Sequence, residues 1–166
     1  MKHINEMKLT TLCFLVKDDK VLLAMKKRGF GAGKWNGVGG KVETGESVLE
    51  AMVREAEEEI GVKIDCQPPP RKAGRGLLHF FFENKPDCSQ ECHVFVADKW
   101  QGEPTETEEM KPKWFPINSL PFEKMWIDDL LWLPKVLEGQ SLEAEFFFNS
   151  DGSALLSHSI KLLKAS

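Results

Sequence analysis

Short apolar blocks separated by polar turns recur along most of this chain, a pattern that predicts strands. Residues 9–16 and 21–25 are two such blocks around Lys17-Asp18-Asp19-Lys20, and together they predict a hairpin. Further strands are predicted over 62–66, 77–83, 92–97 and 113–116. A closing hairpin is predicted over 143–148 and 154–162, around Asn149-Ser150-Asp151-Gly152. Elsewhere the apolar period lengthens to that of a helix. Leu49, Met52, Val53, Ala56 and Ile60 form one stripe at helical spacing. Ser47 and Glu50 make a capping-box pair in front of it, and Gly61 stands where a helix stops. A second helix is predicted over 128–137, kinked or ended by Pro134. Residues 67–76, with Pro68-Pro69-Pro70, read as a loop. Strands on both sides of two helices predict an α/β fold, a mixed sheet packed between helices. With 166 residues and no internal repeat, one domain spanning 1–166 is expected.

Composition narrows the classes of function. Hydrophobic residues at 42% and charged residues at 29% are ordinary for a globular protein in water. No apolar run reaches transmembrane length, and the opening MKHINEMK lacks the apolar core of a signal peptide. The expectation is a cytoplasmic protein with no membrane partner, mitochondrial or nuclear pools being left open. A net charge of −4 argues against a nucleic-acid polymer as partner. Cys13, Cys66, Cys88 and Cys92 show no disulfide framework. Cys88, Cys92 and His93 lack the second ligand pair of a zinc site, so reduced, structural cysteines are expected.

The chemistry concentrates in GKVETGESVLEAMVREAEEEIGV, residues 40–62. Glu55, Glu58 and Glu59 are related by i,i+3 and i,i+4 and therefore share a helix face. Three neighbouring carboxylates repel one another, and a hard divalent cation, Mg2+ with Mn2+ as substitute, would turn that cost into an advantage. Taken alone, such an acidic run is more often a solvated face. Arg54 can orient a carboxylate bidentately. Glu46, in the loop before the helix, is placed close enough to join the cluster. Gly39-Gly40 would allow backbone to approach a phosphate.

Glycine, glutamate and arginine also fall in one frame, G-x5-E-x7-R-E-U-x-E-E-x-G-U with U apolar, from Gly40 to Val62. This frame resembles the signature of the Nudix hydrolases, which cleave nucleoside diphosphates linked to a further group. The resemblance implies an α/β/α sandwich. It also implies catalysis by Glu55, Glu58, Glu59 and Arg54, with Glu55 first and Glu59 second as candidate general base.

The box says little about what the diphosphate carries. Trp126 and Phe30 offer faces on which a base can stack, and the Asn36 amide can donate and accept at a purine edge. In Asp128-Asp129 desolvation and mutual repulsion would raise one pKa, so that the pair presents donor and acceptor together. Taken alone, the pair also fits simple placement at a helix N-terminus. KKRGFGAGKWNGVGGKV and MWIDD, with EEMKPKWFPI between them, resemble the branch of the family that hydrolyses oxidised purine nucleoside triphosphates. That resemblance runs from about Leu9 to the closing hairpin. It implies a base pocket of Thr11, Lys26, Phe30, Asn36, Phe80, Trp126, Asp128 and Asp129, with Gly39 beside the phosphates. It implies metal and phosphate binding by Gly40, Glu55, Glu58 and Glu59, with Glu109 as an added ligand. Ile127 and Gln90 depart from it, standing where that branch has proline and methionine. The expected partner is a small nucleotide, acted on by a monomer. Hydrolases of methylated purine triphosphates or of other nucleoside diphosphate derivatives, and a binding module with a dead box, are the alternatives.

Overall fold

The computed structural model describes residues 7–66 and 74–164. The first strands, β1 (Lys8–Lys17) and β2 (Lys20–Lys26), form the expected hairpin. Its two-residue turn puts both Asp18 and Asp19 at positive φ, +49° and +60°, the backbone that matches the twist of the flanking strands. Then come β3 (Trp35–Asn36), α1 (Val48–Ile60) and β4 (Lys63–Ile64). The strands β5 (Gly76–Phe82), β6 (Gln90–Ala97), β7 (Trp100–Gln101) and β8 (Met110–Pro116) follow. The chain closes through α2 (Asp129–Leu137), β9 (Ser141–Phe148) and β10 (Leu155–Leu163).

One mixed sheet runs in the order β10-β9-β5-β6-β1-β2-β3, with β8 on the other edge of β2. The pairs β1–β6 and β5–β9 are parallel, the rest antiparallel. Alternation along the central strands explains the layers. Phe14, Val16, Val21 and Leu23 pack towards Trp132, Leu133 and Val136 of α2. Cys13, Leu15, Leu22 and Ala24 face Met52, Ala56 and Ile60 of α1. The sheet is therefore sandwiched between helices.

The helix boundaries follow local chemistry. Ser47 caps α1, its hydroxyl accepting from the Glu50 N–H while the Glu50 carboxylate accepts from the Ser47 N–H. Gly61, at φ +72°, ends the helix. Pro134 does not end α2, which continues to Leu137. The carbonyl that Pro134 cannot pair belongs to Leu130, a residue 57% exposed, so water can satisfy it. Two-residue strands β3 and β7 appear where no strand was predicted. Of the predicted loop 67–76, residues 67–73 lie outside the described residues, and β5 begins at Gly76. No helix among the described residues is long and apolar enough to cross a membrane. All four cysteines are free thiols, Cys13 and Cys92 buried.

Candidate active site

Beyond their shared turn β1 and β2 splay apart, and the segment after β3 enters the gap. Thr11 donates to the Gly40 carbonyl at 2.8 Å, and Cys13 and Val38 exchange hydrogen bonds at 2.6 and 2.9 Å. Side chains have no room there. A Cβ on Gly39 would run into the Thr11 carbonyl, and one on Gly40 would sit 2.6 Å from the Glu55 carboxyl carbon. These glycines thus bring backbone against α1, where the Gly39 N–H donates to Glu59 Oε1 at 2.7 Å.

Arg54 organises the outer half of the acidic cluster. Its guanidinium binds Glu46 bidentately at 2.7 and 3.0 Å, and reaches Glu55 at 2.8 Å, Glu58 at 3.2 Å and the Lys41 carbonyl at 3.0 Å. Those hydrogen bonds hold the Glu46 carboxyl down to about 2. Glu46, expected beside the metal carboxylates, is therefore the counter-ion of Arg54. Glu59 is the opposite case: 5% exposed, it is pushed up to about 8, chiefly by burial. The charges of Glu55 and Glu109 push the same way, while the Gly39 N–H opposes them. Burial also raises Glu55, against the pull of Arg54. Glu58 lies on the exposed rim, and Glu109 approaches Arg28 at 3.7 Å. Among the described residues no three carboxylates converge closely enough to hold a metal ion, because Arg54 draws Glu55 and Glu58 to its own side.

Glu59, Gly39 and Gly40 lie at one end of a cavity of about 350 Å³. Its walls also carry Thr11, Lys26, Asn36, Phe80 and Glu109. At the far end Phe30 and Trp126 lie with ring centroids 5.2 Å apart, above Asp128 and Asp129. Both aspartates are almost fully buried, 3% and 2% exposed. Asp128 precedes α2 but caps no backbone N–H. Its Oδ2 accepts from Trp132 Nε1 at 2.7 Å, and Asp129 Oδ2 accepts from the Trp126 N–H at 3.0 Å. Burial raises both carboxyls, and Asp129 rises further because Asp128 stands beside it.

The model of the NUDIX domain matches residues 7–136. The chain belongs to the Nudix family. A Danio rerio protein named oxidized purine nucleoside triphosphate hydrolase is 46% identical over 141 residues, 85% of this chain and 86% of its own. The Mus musculus protein of the same name is 41% identical over 154 residues, covering 93% and 94%. Among solved structures, the MutT protein of Bacillus halodurans superposes with a TM-score of 0.75 at 29% identity, over 93% of this chain and 97% of that one. Nudix hydrolases generally use divalent metal ions. The donors in this Nudix chain fit one: they are all oxygens, and Glu59 sits buried near Glu55 and Glu109 with more negative charge than the nearby cations offset.

Several side chains of this Nudix cavity carried no signal in the pattern. Lys34 Nζ lies 5.3 Å from the Trp126 ring centre, 92 positions away in sequence. Thr10, Phe82 and Phe148 join the wall. Trp132 had a signal, its i,i+4 relation to Asp128, masked by its apolar helical setting.

Proposed function

We propose that this protein is a Mg2+-dependent pyrophosphohydrolase of oxidised purine nucleoside triphosphates, such as 8-oxo-dGTP and 2-hydroxy-dATP. The products would be the nucleoside monophosphate and pyrophosphate. The observation that carries this reading is one cavity with two chemically distinct ends: a buried acid pair beside the Phe30 and Trp126 rings, and a glycine-lined acidic helix face. The two vertebrate relatives with that activity in their names support it. We further propose that the chain acts as a single domain and a monomer, in the cytoplasm.

Residues divide the work along the cavity. Trp126 and Phe30 hold the base by stacking, and Asn36 offers an amide to its edge. With one carboxyl protonated, Asp128 and Asp129 present a donor beside an acceptor, which suits altered purines that differ in the placement of a proton. Glu55, Glu58, Glu59 and Glu109, with Gly40, would hold the cation. A divalent cation bound there neutralises phosphate charge and lowers the pKa of a bound water. Arg54 fixes the Glu55 carboxylate, which is the candidate for taking up the proton of the attacking water, with Glu59 second. Burial already raises both carboxyls towards neutral pH.

Pyrophosphate release with Mg2+ from 8-oxo-dGTP, 2-hydroxy-dATP, O6-methyl-dGTP, dGTP and ADP-ribose tests the reading. An oxidised purine leading by about tenfold in kcat/KM, worth about 1.4 kcal/mol, upholds it. A lead by the methylated purine, or activity on ADP-ribose alone, replaces it with another Nudix specificity.

A further inference from the structure

The base cavity contains polar groups that the reading above leaves idle. Gln90, at the start of β6, is half-buried, lines the cavity and makes no side-chain hydrogen bond among the described residues. The register sets it opposite Phe80 of β5, so the amide shares a wall with an aromatic ring. Beside it, Thr10 of β1 pairs with Cys92, two positions along the same face of β6. Thr10 Oγ1 is buried with no partner but the Cys92 thiol, a weak one. Polar groups in such a position cost free energy unless something meets them.

Their placement says what would. Cys92 lies within electrostatic reach of Asp128 and Asp129. From Cys92 to Gln90 the strand advances two residues, roughly 6–7 Å. The wall therefore runs from the acid pair to the amide over a distance comparable with a purine ring system. A purine whose pyrimidine-ring edge meets the aspartates turns its five-membered ring towards Gln90. In guanine that edge offers an acceptor at N7 and a carbon-bound hydrogen at C8. In 8-oxoguanine it offers an N7–H donor and an O8 acceptor. A glutamine amide, with one carbonyl and one NH2, complements the second pair of groups and not the first.

We infer that Gln90, aided by the Thr10 hydroxyl, is a specificity-determining residue that reads the oxidised five-membered-ring edge of the base, its carbonyl accepting from N7–H and its NH2 donating to O8. The inference rests on the proposed substrate class and sharpens it. The acid pair admits purines altered on the six-membered ring, while Gln90 favours those oxidised at C8. Two parts of one cavity thus select two kinds of damage.

The test compares wild-type protein with Gln90→Met and Thr10→Val, both close in volume to the residues they replace. The readout is kcat/KM for 8-oxo-dGTP, 8-oxo-dATP, 2-hydroxy-dATP and dGTP. For Gln90→Met the two C8-oxidised substrates should fall about tenfold, while 2-hydroxy-dATP and dGTP stay within about twofold. Thr10→Val should give the same pattern, smaller. An equal loss on all four substrates, or no loss on any, overturns the inference while leaving the proposed function in place. Wild-type protein that turns over no oxidised purine overturns both, and the two failures are told apart by the wild-type measurement alone.

Discussion

On the acidic helix, proposed to meet the phosphates, Arg54 holds Glu46 well below its ordinary range, whereas in the cavity proposed for the base burial pushes Asp128 up to about 6 and Asp129 well above its usual value. The residues are chemically similar, and their surroundings differ in two respects, burial and the charge of the partner. A guanidinium with three carboxylate partners compensates the first group. The second accepts hydrogen bonds from neutral donors, an indole N–H and a backbone N–H, and the nearest opposing charge, Lys34, makes no hydrogen bond to it. Burial disfavours the charged carboxylate, and neutral donors offset that less than a cation does, so the buried pair keeps a proton that Glu46 gives up. One end is built to stay anionic and the other to hold a proton. Glu59 lies between these extremes, buried like the aspartates but on the same helix as Arg54.

The largest break in this contrast should come from Glu59→Gln. The fold should persist, because the amide oxygen can still accept from Gly39 N–H. Turnover should fall on the order of 10²-fold or more through loss of a metal ligand. Near-normal turnover at saturating Mg2+ would remove Glu59 from the machinery. Arg54→Ala tests the compensating cation itself. Without it Glu46, Glu55 and Glu58 repel one another, and kcat should drop about 10–100-fold, as for partners that orient metal ligands. Arg54→Lys should recover only part of that, since an ammonium cannot span Glu46 bidentately while reaching Glu55. Full recovery by lysine would show that charge alone matters.

At the other end, Asp128→Asn keeps an acceptor for Trp132 Nε1 and removes the titration. Discrimination of oxidised purines over dATP should shrink by about tenfold, whereas an equal loss for every nucleotide would deny Asp128 that role. The same variant has a stability signature. A carboxyl whose folded pKa is raised stabilises the protein fully below its unfolded value, and that contribution is lost as pH rises through the folded value. For Asp128 the window runs from 3.8 to about 6. In metal-free buffer the Asp128→Asn variant should therefore gain on wild type between those values, by the order of 1–3 kcal/mol. Glu59 extends the fall of the wild type from 4.5 to about 8, and added Mg2+ should reduce that upper part. Parallel melting temperatures across the range would mean that the aspartates are ionised at no cost.

How far the contrast could be read beforehand follows from where its causes lie. The acidic helix, its Ser47 cap and its Gly61 stop are local, so spacing alone placed α1 to within a residue. The alternating blocks likewise placed β1, β2, β5 and β6. Strand β3 escaped notice because two residues carry no period, and Trp35-Asn36 becomes strand only by pairing with Ala24 and Met25. The role of Glu46 escaped for a similar reason. Spacing put it near the cluster, but Arg54 reaches it first. Asp128-Asp129 was expected in the base pocket although the pair alone also fitted a helix start, and spacing did not reveal that Trp132 and the Trp126 backbone hold both carboxyls away from capping. Lys34 and Trp126 meet only because the sheet brings two distant loops over one cavity.

The smallest expected effect separates fold from selectivity. Ser47→Ala removes an acceptor for the Glu50 N–H and loosens the reciprocal bond from Ser47 N–H to the Glu50 carboxylate. A lost cap costs about 1 kcal/mol, a few degrees in Tm for a chain of this size. That loss falls on the first turn of α1, next to Glu46 and one helical turn from Arg54, so kcat should slip within about threefold as the cluster loosens. The acid pair sits on the opposite layer, where α2 and not α1 packs against the sheet. The ratio of kcat/KM for 8-oxo-dGTP to that for dGTP should therefore not change. A shifted ratio would mean that the two ends communicate through the sheet, and that the separation of charge states along the cavity is a property of the whole fold rather than of two local environments.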